Sequence, residues 1–129
     1  MENDLIRLRQ IAEKQIGSCY CPYSEFRVGA VIEDTYGKLH FGVNIENASY
    51  GLSICAERNA LFKAVSEGIR TFTRILVYSP DREPLPCGAC RQALAEFCQE
   101  DFQIIVTGPE EMRTFTLAQL LPHRFKLCP

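Results

Sequence analysis

No apolar run in the 129 residues approaches the roughly 20 needed to cross a bilayer, which excludes a membrane-spanning helix. The N-terminal segment is polar and amphipathic, without the apolar stretch of a secretory leader, so a cytoplasmic protein is expected. Excess positive charge is missing too. With 14 Lys and Arg against 16 Asp and Glu, the net charge of −2 argues against polyanion binding and favours a small, uncharged ligand. Repeats, linkers and low-complexity stretches are absent, and the length suits a single domain over residues 1–129. Histidine is scarce, and neither His40 nor His123 has metal-ligand spacing to the cysteines.

Cysteine, by contrast, is present seven times. An odd number without a leader points to a reducing compartment, with thiols used for metal and packing rather than for a disulfide framework. Cys19, Cys21, Cys98 and Cys128 are expected to be free, Cys19-Tyr20-Cys21 being a structural pair.

Periodicity gives the organisation. Leu5, Leu8, Ala12 and Ile16 follow helical spacing, with Asn3 or Asp4 available as cap and Gly17 as stop. Segments 26–33 and 39–43 flank Asp34-Thr35-Tyr36-Gly37 as a hairpin. A second helix over 55–67 carries alanine at every fourth position, at Ala56, Ala60 and Ala64, and can therefore lie close to a sheet. Ile75-Leu76-Val77-Tyr78 and Ile104-Ile105-Val106 read as buried strands on either side of a helix over 88–98, a right-handed parallel crossover. An edge strand over 113–116 and a helical turn over 117–121 complete an α/β chain. It has one mixed sheet of about five strands with helices on both faces.

The chemistry gathers at Pro86-Cys87-Gly88-Ala89-Cys90-Arg91 and Cys55-Ala56-Glu57-Arg58, both at helix starts. Three thiolates are one short of the four protein ligands of structural zinc, and an open position is what a catalytic zinc keeps for water. Thiolate softness favours Zn2+. Residues two apart on a helix diverge by about 200°, so Cys55 and Glu57 can share a target only at the first turn. There the helix dipoles also favour thiolate at Cys55 and Cys87. Zinc with three thiolates is formally anionic, so nearby cations are needed, and Arg58 and Arg91 are spaced to reach back and donate to sulfur. A non-ligand Glu beside a three-cysteine site is the pattern of zinc-dependent deaminases. Glu57 would take a proton from water, whose oxygen adds to an amidine carbon, and would return protons to a ring nitrogen and the departing amine.

With these motifs and Asn44-Ile45-Glu46-Asn47-Ala48-Ser49-Tyr50-Gly51, the chain resembles the short-chain, homotetrameric cytidine deaminases from Pro22-Tyr23-Ser24 to Phe125. The resemblance implies a three-layer α/β/α sandwich, one zinc per subunit, and cytidine and deoxycytidine as substrates in pyrimidine salvage. It places Phe26 against the pyrimidine, Asn44 and Glu46 on the ribose, and backbone groups of Ala56 on the base edge. Ala48, Tyr50 and Phe125 would come from neighbouring subunits. Arg27, Asn59 and the tail 126–129 match no feature of that family. Independently, Asn44 and Glu46 are i and i+2, on one side of an extended segment, and offer donor and acceptors to a hydroxyl. An aromatic face at Phe26 or Phe125 suits a flat base. Three other functions compete with this one: a deaminase of a modified cytosine compound such as blasticidin S, a zinc-stabilised interaction module without catalysis, and a polynucleotide deaminase.

Overall fold

Successive residues of a strand point to opposite faces, and here both faces are apolar. Ala30, Ile32, Ile75, Val77, Ile104 and Val106 pack on one side of the sheet, whereas Val31, Leu76, Tyr78 and Ile105 pack on the other. The computed structural model describes residues 2–127 and shows what covers each face. Helix α1 (Glu2–Gln15) lays Leu8 and Ala12 against the second set. Helices α2 (Ala56–Ser66) and α3 (Gly88–Phe97) cover the first, through Ala56, Ala60, Leu61 and Ala64 and through Leu94 and Ala95. The result is the three-layer α/β/α sandwich. Cys128, expected to be a free thiol, lies outside the described residues; Cys19, Cys21 and Cys98 are free.

Five strands form one sheet: β1 (Gly29–Asp34), β2 (Leu39–Val43), β3 (Phe72–Tyr78), β4 (Gln103–Thr107) and β5 (Met112–Thr116), in the order β2-β1-β3-β4-β5. β3 and β4 are parallel and joined through α3; the other pairs are antiparallel. Because β1 runs against both β2 and β3, those two strands share a direction. The helices that follow them, α2 and α3, therefore both begin at the carboxyl ends of strands, on one rim of the sheet. A short helix α4 (Leu117–Leu120) follows β5 and is closed by a capping box between Thr116 and Gln119.

Several boundaries differ from the sequence reading, each for a physical reason. Asn3 and Asp4 lie inside α1 rather than capping it, and the Asp4 carboxylate pairs with Arg7 and Arg74. β1 begins at Gly29 and not at residue 26. The preceding amides are taken by side chains, Arg27 N–H donating to Asp81 and Val28 N–H to Asn44 Oδ1. β3 starts three residues early because Phe72 and Arg74 still pair with β1 across a bulge between Glu33 and Asp34.

Two features set the position of the first layer. Gly42 of β2 lies under the first turns of α2, where a Cβ would come within 2.4 Å of Ala60 N and 2.5 Å of Ala56 O. The alanine stripe and this glycine let helix and sheet meet backbone to backbone. The hairpin between β1 and β2 is held by Asp34, 1% exposed. Its Oδ1 accepts from the Tyr36 and Lys38 amides at 2.8 and 3.0 Å, and its Oδ2 lies 2.9 Å from Nε2 of buried His40. Burial alone would raise this carboxyl; the His40 contact and the two amides more than offset it and hold it below the usual Asp range.

A group with a depressed native pKa contributes its stability above the ordinary value and loses it as pH falls through the native one. Asp34→Ala is therefore expected to cost about 3 kcal/mol at neutral pH, with a smaller deficit in acid. Urea unfolding at pH 7 and pH 3 would measure both, and equal deficits at the two values would refute the role.

Candidate active site

Cys55 and Cys87 occupy the N-cap positions of α2 and α3 with extended backbones, at φ −73°, ψ 155° and φ −69°, ψ 169°. Their carbonyls accept the first helical hydrogen bonds, from Asn59 and Arg91, while their side chains cap nothing. The sulfurs are thereby left to face outward, towards each other. Cys90, one turn into α3 and fully buried, supplies the third. All three sulfurs lie within 4.8 Å of one another, Cys55 and Cys87 at 3.9 Å. A tetrahedral zinc with bonds of about 2.3 Å to sulfur needs its sulfurs about 3.8 Å apart, so the donors fit that ion in both softness and spacing.

Charge points the same way. A hydrogen bond from Cys90 pulls the Cys55 thiol down to about 5 against its desolvation, with Arg58 adding to the effect, and Cys90 is pushed up because it holds the shared proton. A divalent ion is what lets all three ionise.

Arg58 places Nη2 3.5 Å from Cys55 Sγ. Arg91 does not reach sulfur. Its Nε donates to Pro86 O and its Nη1 to Leu120 O, both at 2.8 Å, because these carbonyls are nearer and better acceptors. It ties the residue before Cys87 to the end of α4.

Glu57, in the first turn of α2 two residues after Cys55, is 5% exposed. Burial drives its carboxyl up to about 7, and the negative Cys55 adds to the rise; its own amide and Arg58 oppose them. It opens into a cavity of about 430 Å³ that also touches Cys55, Cys87, Ala56 and Arg58. Phe26, Asn44, Glu46 and Tyr50 line the same cavity, whereas Ala48 and Phe125 do not. Phe125 is 67% exposed, and its carbonyl accepts from Gln92 Nε2 at 3.1 Å.

Asn44 and Glu46 do more than face the cavity. Asn44 Nδ2 donates to Phe26 O at 2.6 Å and its Oδ1 accepts from Val28 N–H at 3.1 Å, which fixes the wall that carries Phe26. Glu46 Oε1 accepts from the Tyr23 and Ser24 amides at 3.0 and 3.1 Å, and Oε2 accepts from the Ser24 hydroxyl. The Ser24 hydroxyl is the main reason this carboxyl lies below the usual Glu range. Each side chain keeps capacity for a ligand: one N–H and one lone pair on Asn44, one lone pair on Glu46.

Ser24 and Tyr23 read as turn residues in the sequence. Their partner is 22 and 23 positions away, and no local spacing signals the contact. Pro84 and Leu85, which line the same cavity, are likewise invisible as site residues. Among the described residues no helix is long and apolar enough to cross a membrane.

The zinc-binding region of cytidine and deoxycytidylate deaminases, as a family profile, matches residues 2–106. A cytidine deaminase of Sporosarcina psychrophila is 41% identical over 124 residues, covering 95% of this chain and 91% of its own. One of Halalkalibacterium halodurans is 47% identical over 108 residues, covering 82% of each. The crystal structure of cytidine deaminase from Burkholderia pseudomallei superposes with a TM-score of 0.87 at 39% identity, over 92% of this chain and 97% of that one.

Proposed function

This chain belongs to the family of cytidine and deoxycytidylate deaminases, and we propose that it hydrolyses cytidine and deoxycytidine to uridine and deoxyuridine with release of ammonia. One observation carries the reading: the buried carboxylate of Glu57 and two of the three clustered soft donors, Cys55 and Cys87, open into one cavity that is also lined by the Phe26 ring and by Asn44 and Glu46.

Cys55, Cys87 and Cys90 would hold Zn2+, which when bound acts as a Lewis acid and makes water a nucleophile near neutral pH. Glu57 takes a proton from the attacking water and delivers it to N3 as the oxygen bonds to C4. It then carries the second proton to the amino nitrogen, the C4–N bond breaks, and ammonia leaves a C4 carbonyl. Phe26 offers its face to the pyrimidine, Ala56 its backbone to the base edge, and Asn44 and Glu46 their spare hydrogen-bonding capacity to the ribose. Arg58 offsets sulfur charge, and Arg91 positions Cys87 through the Pro86 carbonyl.

Charge selects the nucleoside over its phosphate. Among the described residues the charged side chains on the cavity are Glu46, Glu57 and Arg58, and Arg58 is engaged with sulfur, so a 5′-phosphate would meet carboxylates without a free cation from these residues. Cytidine and deoxycytidine are expected to be turned over, with cytidine 5′-monophosphate at least about 100-fold poorer in kcat/KM. Ammonia release from the three compounds would decide it, and comparable rates on the monophosphate would overturn the assignment.

The active unit is a homotetramer of single-domain subunits in the cytoplasm, serving pyrimidine salvage. Tyr50 at 71% exposure and Leu85 line the cavity, and Leu52 and Phe125 are bare at 67% each, which supports closure by Ala48, Tyr50 and Phe125 of neighbouring copies. Light scattering on the assayed protein should give four chains, and an active monomer would defeat the shared pocket.

A further inference from the structure

Arg27, Asp81 and Arg82 have no part in the chemistry above, yet they tie together two segments that line the cavity. One segment carries Phe26; the other, between β3 and Cys87, carries Pro84 and Leu85. Asp81 Oδ2 accepts from the Arg27 amide at 2.9 Å and from its Nε at 3.2 Å, and Oδ1 accepts from Nη2 at 2.7 Å. A carboxylate gripped by a guanidinium fork and by the amide of the same residue fixes a distance, as a single exposed ion pair does not. Asp81 is itself set by its amide, which donates to the hydroxyl of fully buried Ser79 at 3.1 Å. Two residues on, Arg113 holds Glu83 at 2.8 and 2.6 Å. Arg82 lies between these two anchors. Its guanidinium carbon is 4.2 Å from the centroid of the Phe26 ring, and Phe26 lines the cavity while Arg82 does not.

We propose that Arg82 is a positioning residue for base binding: held by the Asp81–Arg27 pair, its guanidinium backs the Phe26 ring and fixes it as the wall on which a flat heterocycle stacks. The inference rests on the cytidine reading of the cavity. A cation on one face holds the ring orientation and draws π density from the other face, which favours stacking with an electron-rich, carbonyl-bearing base. Such a wall serves the bound substrate and the transition state alike, so its loss raises KM and leaves kcat in place.

The test is steady-state deamination of cytidine by the wild type and by Arg82→Leu, Arg82→Lys and Asp81→Asn, with uridine inhibition and thermal midpoints measured on each. Arg82→Leu is expected to raise KM about three- to fivefold with kcat unchanged, and the uridine inhibition constant should rise in step. Arg82→Lys keeps a cation over the ring and should recover most of the loss. Asp81→Asn breaks the fork and should move KM in the same direction as Arg82→Leu, without a shift in thermal midpoint. An unmoved KM in Arg82→Leu, a fall in kcat instead, or a KM rise that lysine does not rescue would overturn the inference while leaving the cytidine assignment standing. Wild-type protein inert towards cytidine would overturn both.

Discussion

Glu57→Gln is expected to lower kcat on cytidine by about 10³-fold while zinc content and fold stay as they are. Glutamine has the shape of glutamate and can still accept a hydrogen bond, but it cannot carry a proton. At 5% exposure Glu57 is shielded from bulk solvent, so no outside base replaces it readily. The same burial that pushes Glu57 up to about 7 makes both its protonated and ionised forms accessible near neutral pH, which suits a group that must accept and return protons within one turnover. Because Glu57 is not among the clustered metal donors, the variant should bind one zinc per chain. Kinetics paired with elemental analysis separates the outcomes: a variant with a tenth of wild-type activity, or one that has lost its metal, would contradict the assignment.

Cys90→Ser should abolish zinc binding and reduce activity to background. Serine is close in size and tolerated by the space, but its hydroxyl is a hard, neutral donor where a soft thiolate is needed. Cys90 is also fully buried, so no neighbouring solvent-exposed group can be drawn in as a replacement. Metal and fold are coupled here, because the donors come from the starts of two separate helices. Ligand at a thousand times its dissociation constant stabilises the native state by about 4 kcal/mol, and this increment should vanish on chelation and be missing in the variant. Thermal unfolding with and without added zinc would show a large shift for the wild type and none for Cys90→Ser. A variant that retained the shift would remove Cys90 from the donor set.

What the sequence revealed was whatever local spacing encodes. The two cysteine motifs, the alanine stripe of α2 and the apolar cores of β3 and β4 each lie within one or two turns of chain, and the structure has each in place. Contacts chosen among distant partners were not legible. Arg91 has the spacing to reach Cys87, but a long guanidinium goes to its best acceptors, and the Leu120 carbonyl is 29 residues away. The contact of Glu46 with Ser24 and the backing of Phe26 by Arg82 are likewise set by tertiary packing. The pattern over 26–33 predicts a strand that begins earlier than β1 does, because Phe26, Arg27 and Val28 lie outside the ladder, a distinction that side-chain oxygens of Asp81 and Asn44 decide. Ala48 and Phe125 came from resemblance alone, and nothing within one chain brings them to the cavity.

At Gly42 the separation of two layers is set by a missing atom. Any other residue there would lift Ala56 and Ala60, and Cys55 and Glu57 would be displaced together, as one rigid end of α2, from the two cysteines of α3. The seam under the helix therefore has no gradual route to change: side-chain enlargement at this position alters the reaction geometry at once. Change on the outer rim, at Arg27, Asp81 and Arg82, would instead alter how the base is held while the distance between acid and sulfur is preserved.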